Sequence, residues 1–457
     1  MPDDFDLIVL GGGTGGYSAA LRAASLGLRV ALVEKEKVGG TCLHRGCIPT
    51  KALLHAGEVI DTVRESETFG IKAGEPSYDW AGVQTYKDRV VDRMFKGLQG
   101  LIKARKIESI AGSGTITSPT TVRAGDREVR AKNICVATGS VPRMIPGLER
   151  GARVVTSDEA LVNGIPRSAI VLGGGSVGVE FASIWRSFGA EVTVVEMLPT
   201  LVPLEDADLG KELERAFKKR GIKVLTGGKF EDAKVTDDGV AATVSQNGSS
   251  QQIEAEVLLC AVGRGPVTQG SGIDAIGVKT ERGFILVNDR CETNVKGVFA
   301  VGDVIPTPGL AHVSFAEGML VAEHLAGMKP PAINYDAIPR ATYSTPEVGA
   351  VGLTESQARE RGHNVRTEKT PLSAIGKAVI LGNTTGFCKI VAAEDGAILG
   401  AHYIGPRVTE LIAEGMLAVG WEAMPEEVAQ LIHPHPSLSE VFGETSLHMA
   451  GRALHTA

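Results

Sequence analysis

The pattern GxGxxG stands twice in this chain, each time between an apolar run and a helical one. That duplication constrains the fold more than any other feature. The first copy follows a predicted buried strand, Asp6–Leu10, with Gly11, Gly13 and Gly16. A helix over Tyr17–Leu26 comes next, capped by Gly27, and a second strand over Arg29–Val33 ends at Glu34. The second copy repeats the order: strand Ala169–Leu172, then Gly173, Gly175 and Gly178, helix Val179–Phe188, cap Gly189, and strand Glu191–Val195 ending at Glu196. In both copies the acid lies 23 residues after the first glycine. With 57 glycines a lone GxGxxG arises about once by chance, so the weight rests on the repeated context and offset. The physics favours dinucleotides. Glycines let the backbone approach a pyrophosphate, the helix N-terminus offers free N–H groups and a positive dipole end, and the acid accepts from a ribose diol. The predicted class is α/β, with two Rossmann-like domains.

Between the two copies stands GGTCLHRGCIPTK, residues 39–51, directly after the first unit. In a regular helix Cys42 and Cys47 would sit about 140° apart around the axis and about 8 Å apart in Cα position. A disulfide needs Cα atoms within about 4.4–6.8 Å. The two can bond only if the helix breaks between them. Gly46 supplies the freedom to break, and Pro49 is tolerated in a first helical turn but not in an interior. A bridge closing so short a loop stabilises the fold little, so a bond meant to open and close explains it better. Nicotinamide moves a hydride whereas a disulfide is opened by thiolate chemistry, which makes a flavin the natural intermediary.

Composition narrows the setting. A net charge of −7 gives no basic footprint for nucleic acid. No apolar run approaches the roughly 20 residues of a membrane span, and the acidic start reads straight into a strand rather than as a targeting peptide. Six cysteines spread over 457 residues are not a secreted disulfide framework, and reducing cytoplasm suits a disulfide that cycles. Cys135, Cys260, Cys291 and Cys388 read as packing residues. No metal site is expected, because His433 and His435 have no second ligand cluster.

On these motifs the sequence resembles the flavoprotein (pyridine nucleotide) disulfide oxidoreductases over its whole length. Within that family it is most similar to members that oxidise protein-bound dihydrolipoamide with NAD⁺. The resemblance assigns FAD to the first unit and NAD to the second. It implies FAD contacts from Gly11, Gly13, Gly16, Glu34, Thr41 and Lys51, from Thr138, Gly139 and Ser140 in ATGS, and from Asp303 in VFAVGDV. For NAD it implies Gly173, Gly175, Gly178, Glu196 and, in AVGRGP, Gly263. Cys42 would be the interchange thiol and Cys47 the thiol facing the flavin. Lys51 and Glu180 would form a charge pair beside that ring. In HPHPSLSE, His435 would be the acid–base and Glu440 its orienting partner, facing the disulfide of a second subunit in a homodimer. Two departures stand out. His44-Arg45 replaces the more familiar Asn-Val, and Pro434 and Ser437 stand where Ala and Thr are usual.

The resemblance implies four segments: an FAD domain over 1–145, an NAD domain over 146–265, a central return over 266–335 and a dimerisation domain over 336–457. Tyr343–Ala358 reads as a strand followed by a Thr-capped helix. Lipoyl domains of 2-oxoacid dehydrogenase or glycine-cleavage complexes are the implied partners. Glu196 accepts a ribose 2′-hydroxyl but repels a 2′-phosphate, and no Arg follows between Met197 and Asp206, which predicts NADH over NADPH. Two rivals remain at this point. One is another NADH-dependent flavoprotein disulfide or quinone reductase, and the other is a non-catalytic nucleotide-binding dimer.

Overall fold

The structure is a computed structural model that describes residues 4–456. It resolves into two compact units interleaved along the chain. Of the described residues, the first takes 4–52, 81–143 and 263–335, and the second takes 53–80, 144–262 and 336–456.

In the first unit, apolar runs form a seven-stranded sheet. Asp4–Leu10 lies between Val30–Glu34 and Arg127–Val136, all parallel, with Glu108–Ala111 beyond Val30–Glu34. Val298–Ala300 adds in parallel to the end of Arg127–Val136, while Thr121–Ala124 and Gly114–Ser118 run antiparallel. Leu7, Ile8, Leu32, Ile134 and Val298 are fully buried, as parallel strands covered on both faces require. Helix Thr14–Ser25 packs on this sheet and against helix Ala311–Leu325.

The second unit holds a five-stranded parallel sheet in the order Lys223–Thr226, Glu191–Glu196, Ser168–Leu172, Val257–Cys260, Val154–Val155. An antiparallel meander covers Lys229–Val235, Val240–Gln246 and Ser249–Ala255. A second five-stranded sheet, antiparallel throughout, runs Arg340–Thr342, Glu347–Gly352, Ile398–Gly405, Phe387–Ala393, Val365–Pro371. The Thr-capped helix is Glu355–Glu360, where Thr354 and Gln357 close a capping box. Buried Lys389, in strand Phe387–Ala393, anchors the antiparallel sheet to two neighbouring helices. Its Nζ meets Asp206 and Asp208, at the head of helix Ala207–Lys219, at 3.0 Å each, and Glu355 at 2.9 Å.

The two nucleotide helices begin earlier than the sequence pattern indicates, at Thr14 and Ser176. The third glycine of each motif therefore lies inside its helix. A Cβ on Gly16 would fall on the Gly11 carbonyl oxygen, and one on Gly178 would fall on that of Gly173. Around Gly13 a Cβ would meet nothing within 4 Å. Gly16→Ala should therefore destabilise the protein by about 3 kcal/mol or more in denaturant unfolding. Gly13→Ala should leave stability within about 0.5 kcal/mol while weakening dinucleotide binding.

Candidate active site

The helix over the dithiol breaks where the spacing requires. Gly40–Arg45 ends at Gly46, and Cys47–Arg64 starts at once. A Cβ on Gly46 would lie 3.0 Å from the Thr41 carbonyl oxygen, so the two short turns fold tightly on each other. The Cys42 and Cys47 thiols meet in a hydrogen bond. That bond, then burial and the charge of Cys47, pushes the Cys42 thiol far up, while Lys51 pulls the other way. Lys51 lies one turn beyond Cys47 on the same helix. Thr41 stands between Gly40 and Cys42 at the start of the shorter helix.

The dithiol is seated on the first glycine loop. Gly39 and Gly40 both take positive φ, at 111° and 58°. The Gly39 N–H donates to the Gly12 carbonyl at 2.7 Å, and a Cβ on Gly40 would lie 2.6 Å from the Gly13 Cα. His44, between the cysteines, hydrogen-bonds the Val38 carbonyl at 2.9 Å and sets its ring edge-on to Phe95. Arg45 pairs with Glu36 at 3.0 Å. Tyr17, from the helix after the loop, was not singled out by the pattern. Burial, and then the charges of Cys42 and Cys47, push its phenol up to about 12.

Asp303 occupies a short turn, Gly302–Val304, after the buried strand Val298–Ala300. Its carboxylate accepts from the Ser140 hydroxyl at 2.5 Å. Arg264 donates to Ser140 Oγ and to the Ser140 carbonyl, both at 2.7 Å, and lies 3.9 Å from Asp303. Thr138 donates to the Val267 carbonyl at 2.5 Å, and Gly139 and Gly263 turn with φ of 73° and 112° where Ser140–Pro142 pairs with Arg264–Pro266. Behind the turn sits Glu317, fully buried. It accepts from the Gly302 N–H at 2.7 Å, Thr307 Oγ1 at 2.7 Å and the Tyr335 hydroxyl at 3.1 Å. Burial pushes its carboxyl up.

Both glycine loops close on their acids alike. Glu34 accepts from the Gly12 N–H at 2.6 Å and the Glu36 N–H at 2.7 Å. Glu196 accepts from the Gly174 N–H at 2.6 Å and the Leu198 N–H at 2.7 Å. A carboxylate has about four acceptor positions, so each acid keeps capacity for a ribose diol. Gly13 and Gly175, the N-cap positions of their helices, face open space where a side chain would stand. The two loops therefore fit two dinucleotides.

In the second unit, His435 Nδ1 lies 2.8 Å from Glu440 Oε1, and the Ser437 N–H donates to the other Glu440 oxygen at 2.7 Å. Burial works against the charged carboxylate, but Ser437 and His435 outweigh it and hold Glu440 below its usual range. The His435 side chain is 72% exposed. Glu180 is buried in helix Ser176–Ser187 and accepts from the Tyr343 N–H at 2.9 Å. Among the described residues no group of three His, Cys, Asp or Glu side chains is arranged to hold a metal ion.

Residues 5–318 match the pyridine nucleotide-disulphide oxidoreductase family, and residues 338–446 match its dimerisation domain. The chain belongs to the pyridine nucleotide-disulphide oxidoreductases. Membership brings FAD and NAD(H) as cofactors, and the dimerisation domain makes the assembly a homodimer. A dihydrolipoyl dehydrogenase of Bacillus subtilis is 44% identical, with all of both chains covered. One of Thermus scotoductus is 42% identical over 99% of this chain and 98% of that one. The mitochondrial enzyme of Pisum sativum is 39% identical over 99% and 93%. Among solved structures, LpdA from Mycobacterium tuberculosis superposes with a TM-score of 0.89 at 26% identity, covering 97% of this chain and 99% of that one. The HOCl-induced flavoprotein disulfide reductase RclA from Escherichia coli gives 0.85 at 26% identity, covering 96% and 99%.

Proposed function

We propose that this oxidoreductase acts as a dihydrolipoyl dehydrogenase, oxidising protein-bound dihydrolipoamide with NAD⁺ as the final acceptor. The observation that carries the reading is the hydrogen-bonded Cys42–Cys47 pair, seated on a dinucleotide loop by Gly39 and Gly40. Full-length relatives at 39–44% identity bear that name.

FAD is assigned to Gly11, Gly13, Gly16, Glu34, Thr41, Lys51, Thr138, Gly139, Ser140 and Asp303. NAD is assigned to Gly173, Gly175, Gly178, Glu196 and Gly263. Bound there, FAD would supply two-electron chemistry able to link a dithiol with hydride transfer to a nicotinamide. The chain's own residues do the sulfur chemistry. His435 takes a proton from one substrate thiol, because only a thiolate is nucleophilic. Glu440 fixes the ring's tautomer and stabilises its cation. The thiolate attacks Cys42 Sγ, breaking the Cys42–Cys47 bond and forming a mixed disulfide. The second substrate sulfur then attacks the first and expels Cys42, which recovers a proton from His435. The proton of the second substrate thiol takes its place on His435, so the products are a cyclic substrate disulfide, a Cys42 thiol, a Cys47 thiolate and a protonated His435, and two electrons and two protons have crossed. Lys51 and Glu180 complete the proposed catalytic set.

We assign His435 to the disulfide of the partner subunit. Its place in the dimerisation domain and its exposure on one protomer support this. The four-segment division of the sequence is kept, with FAD, NAD, central and dimerisation parts. Lipoyl domains of 2-oxoacid dehydrogenase or glycine-cleavage complexes are the proposed partners, and the cytoplasm is the proposed compartment. No described helix is long and apolar enough to cross a membrane.

The test is turnover with dihydrolipoamide and NAD⁺. Cys47→Ser should lose at least about 100-fold in kcat while keeping bound flavin, since the serine hydroxyl cannot close a disulfide. Normal turnover in that variant would overturn the reading and favour a quinone reductase. The Glu196 carboxylate should hold kcat/KM for NADH about 100-fold above that for NADPH. Equal values would remove its proposed role.

A further inference from the structure

A second histidine–carboxylate pair lies two residues before the proposed base. His433 Nε2 lies 2.6 Å from Glu414 Oε1, in helix Val408–Gly420. The imidazole is only 12% exposed, against 72% for His435. On its other side it is pressed onto helix Glu440–Met449, where a Cβ on Gly443 would lie 2.6 Å from its Cε1. His433 thus pins the chain to two helices immediately before Pro434 and His435. On the far side of His435, the Ser437 N–H is tied to Glu440. The segment bearing the base is clamped at both ends.

The surroundings favour a charged ring. The hydrogen bond to Glu414, ahead of opposing burial, pushes His433 up, and the charge of Glu440 and the Leu431 carbonyl add to it. Beneath Glu414 lie the buried Cys388 thiol and Tyr403 hydroxyl, both pushed up by burial and so neutral. Glu440 faces three imidazoles. His435 is bonded to it, His433 acts through space, and His455 acts from the C-terminal segment, where it pairs with Glu444 at 2.9 Å. The Glu440 carboxylate therefore serves the base while it also acts on His433.

We propose that His433, clamped by Glu414, is a positioning residue for the proposed acid–base, fixing the backbone that leads into His435 and sharing the field of Glu440 with it. This rests on the reading of His435 as the base.

The test compares wild type, His433→Gln and Glu414→Gln as flavin-loaded dimers. In each variant kcat with dihydrolipoamide should fall about 10- to 100-fold at neutral pH, from loss of alignment. KM for NAD⁺ should stay unchanged. Removing the cation removes a charge that repels a protonated His435, so the acid limb of the kcat–pH profile should move up by about half a unit in His433→Gln. NADH-driven release of the Cys42 and Cys47 thiols, which needs no base at His435, should proceed at the wild-type rate and shows that the variants are folded. An unmoved acid limb in both variants, or wild-type kcat in either, overturns the proposal. A wild-type kcat in His435→Gln would instead overturn the reading on which it stands.

Discussion

Gly40 lies so close to the Gly13 Cα that position 40 has no room for a side chain, and the Gly39 N–H closes the contact on the Gly12 carbonyl. This backbone-on-backbone seat fixes the redox chemistry of the first unit. It lays the short helix bearing Cys42 directly on the loop that fits a pyrophosphate. The break at Gly46 then turns Cys47 back to meet Cys42 at the head of an 18-residue helix. Lys51 follows one turn later, and Tyr17 approaches from the loop's own helix. Glycine serves here as an absence of bulk, which lets two functional turns share one location.

The same economy appears in the acids. Glu34 and Glu196 end corresponding strands, and each uses both carboxylate oxygens to fasten its own loop. They were read as ribose ligands. The structure adds that they hold the residue between the first two glycines of each motif, Gly12 and Gly174, in place. Repetition of this bonding in two loops with different surroundings argues that it belongs to the device itself.

Local physics was legible in the sequence. The two βαβ units, the helix break between the cysteines and the Thr354 cap all depend on neighbours within a few turns of chain, whereas the pairing of His435 with Glu440 was implied by the family resemblance. The helix starts at Thr14 and Ser176 were missed because glycine-rich windows carry no apolar periodicity. Arg264, which bonds Ser140 from 124 residues away, was quoted only as part of a motif. Glu317 and Glu414 were not noticed. Each is a single carboxylate in an ordinary helix, and its role comes from groups that folding brings to it: Gly302, Thr307 and Tyr335 for one, His433 for the other. No spacing encodes such meetings.

The central claim is that one sulfur pair, and no other, opens and closes in turnover. Cys135, Cys260, Cys291 and Cys388 are all buried, whereas Cys42 and Cys47 are partly open. Differential alkylation under anaerobic conditions, read by peptide mass spectrometry, tests this directly. In the oxidised protein Cys42 and Cys47 should resist the reagent, and both should become labelled after dihydrolipoamide is added, with the other four cysteines unlabelled throughout. Equal labelling of Cys42 and Cys47 before and after the substrate would contradict the account.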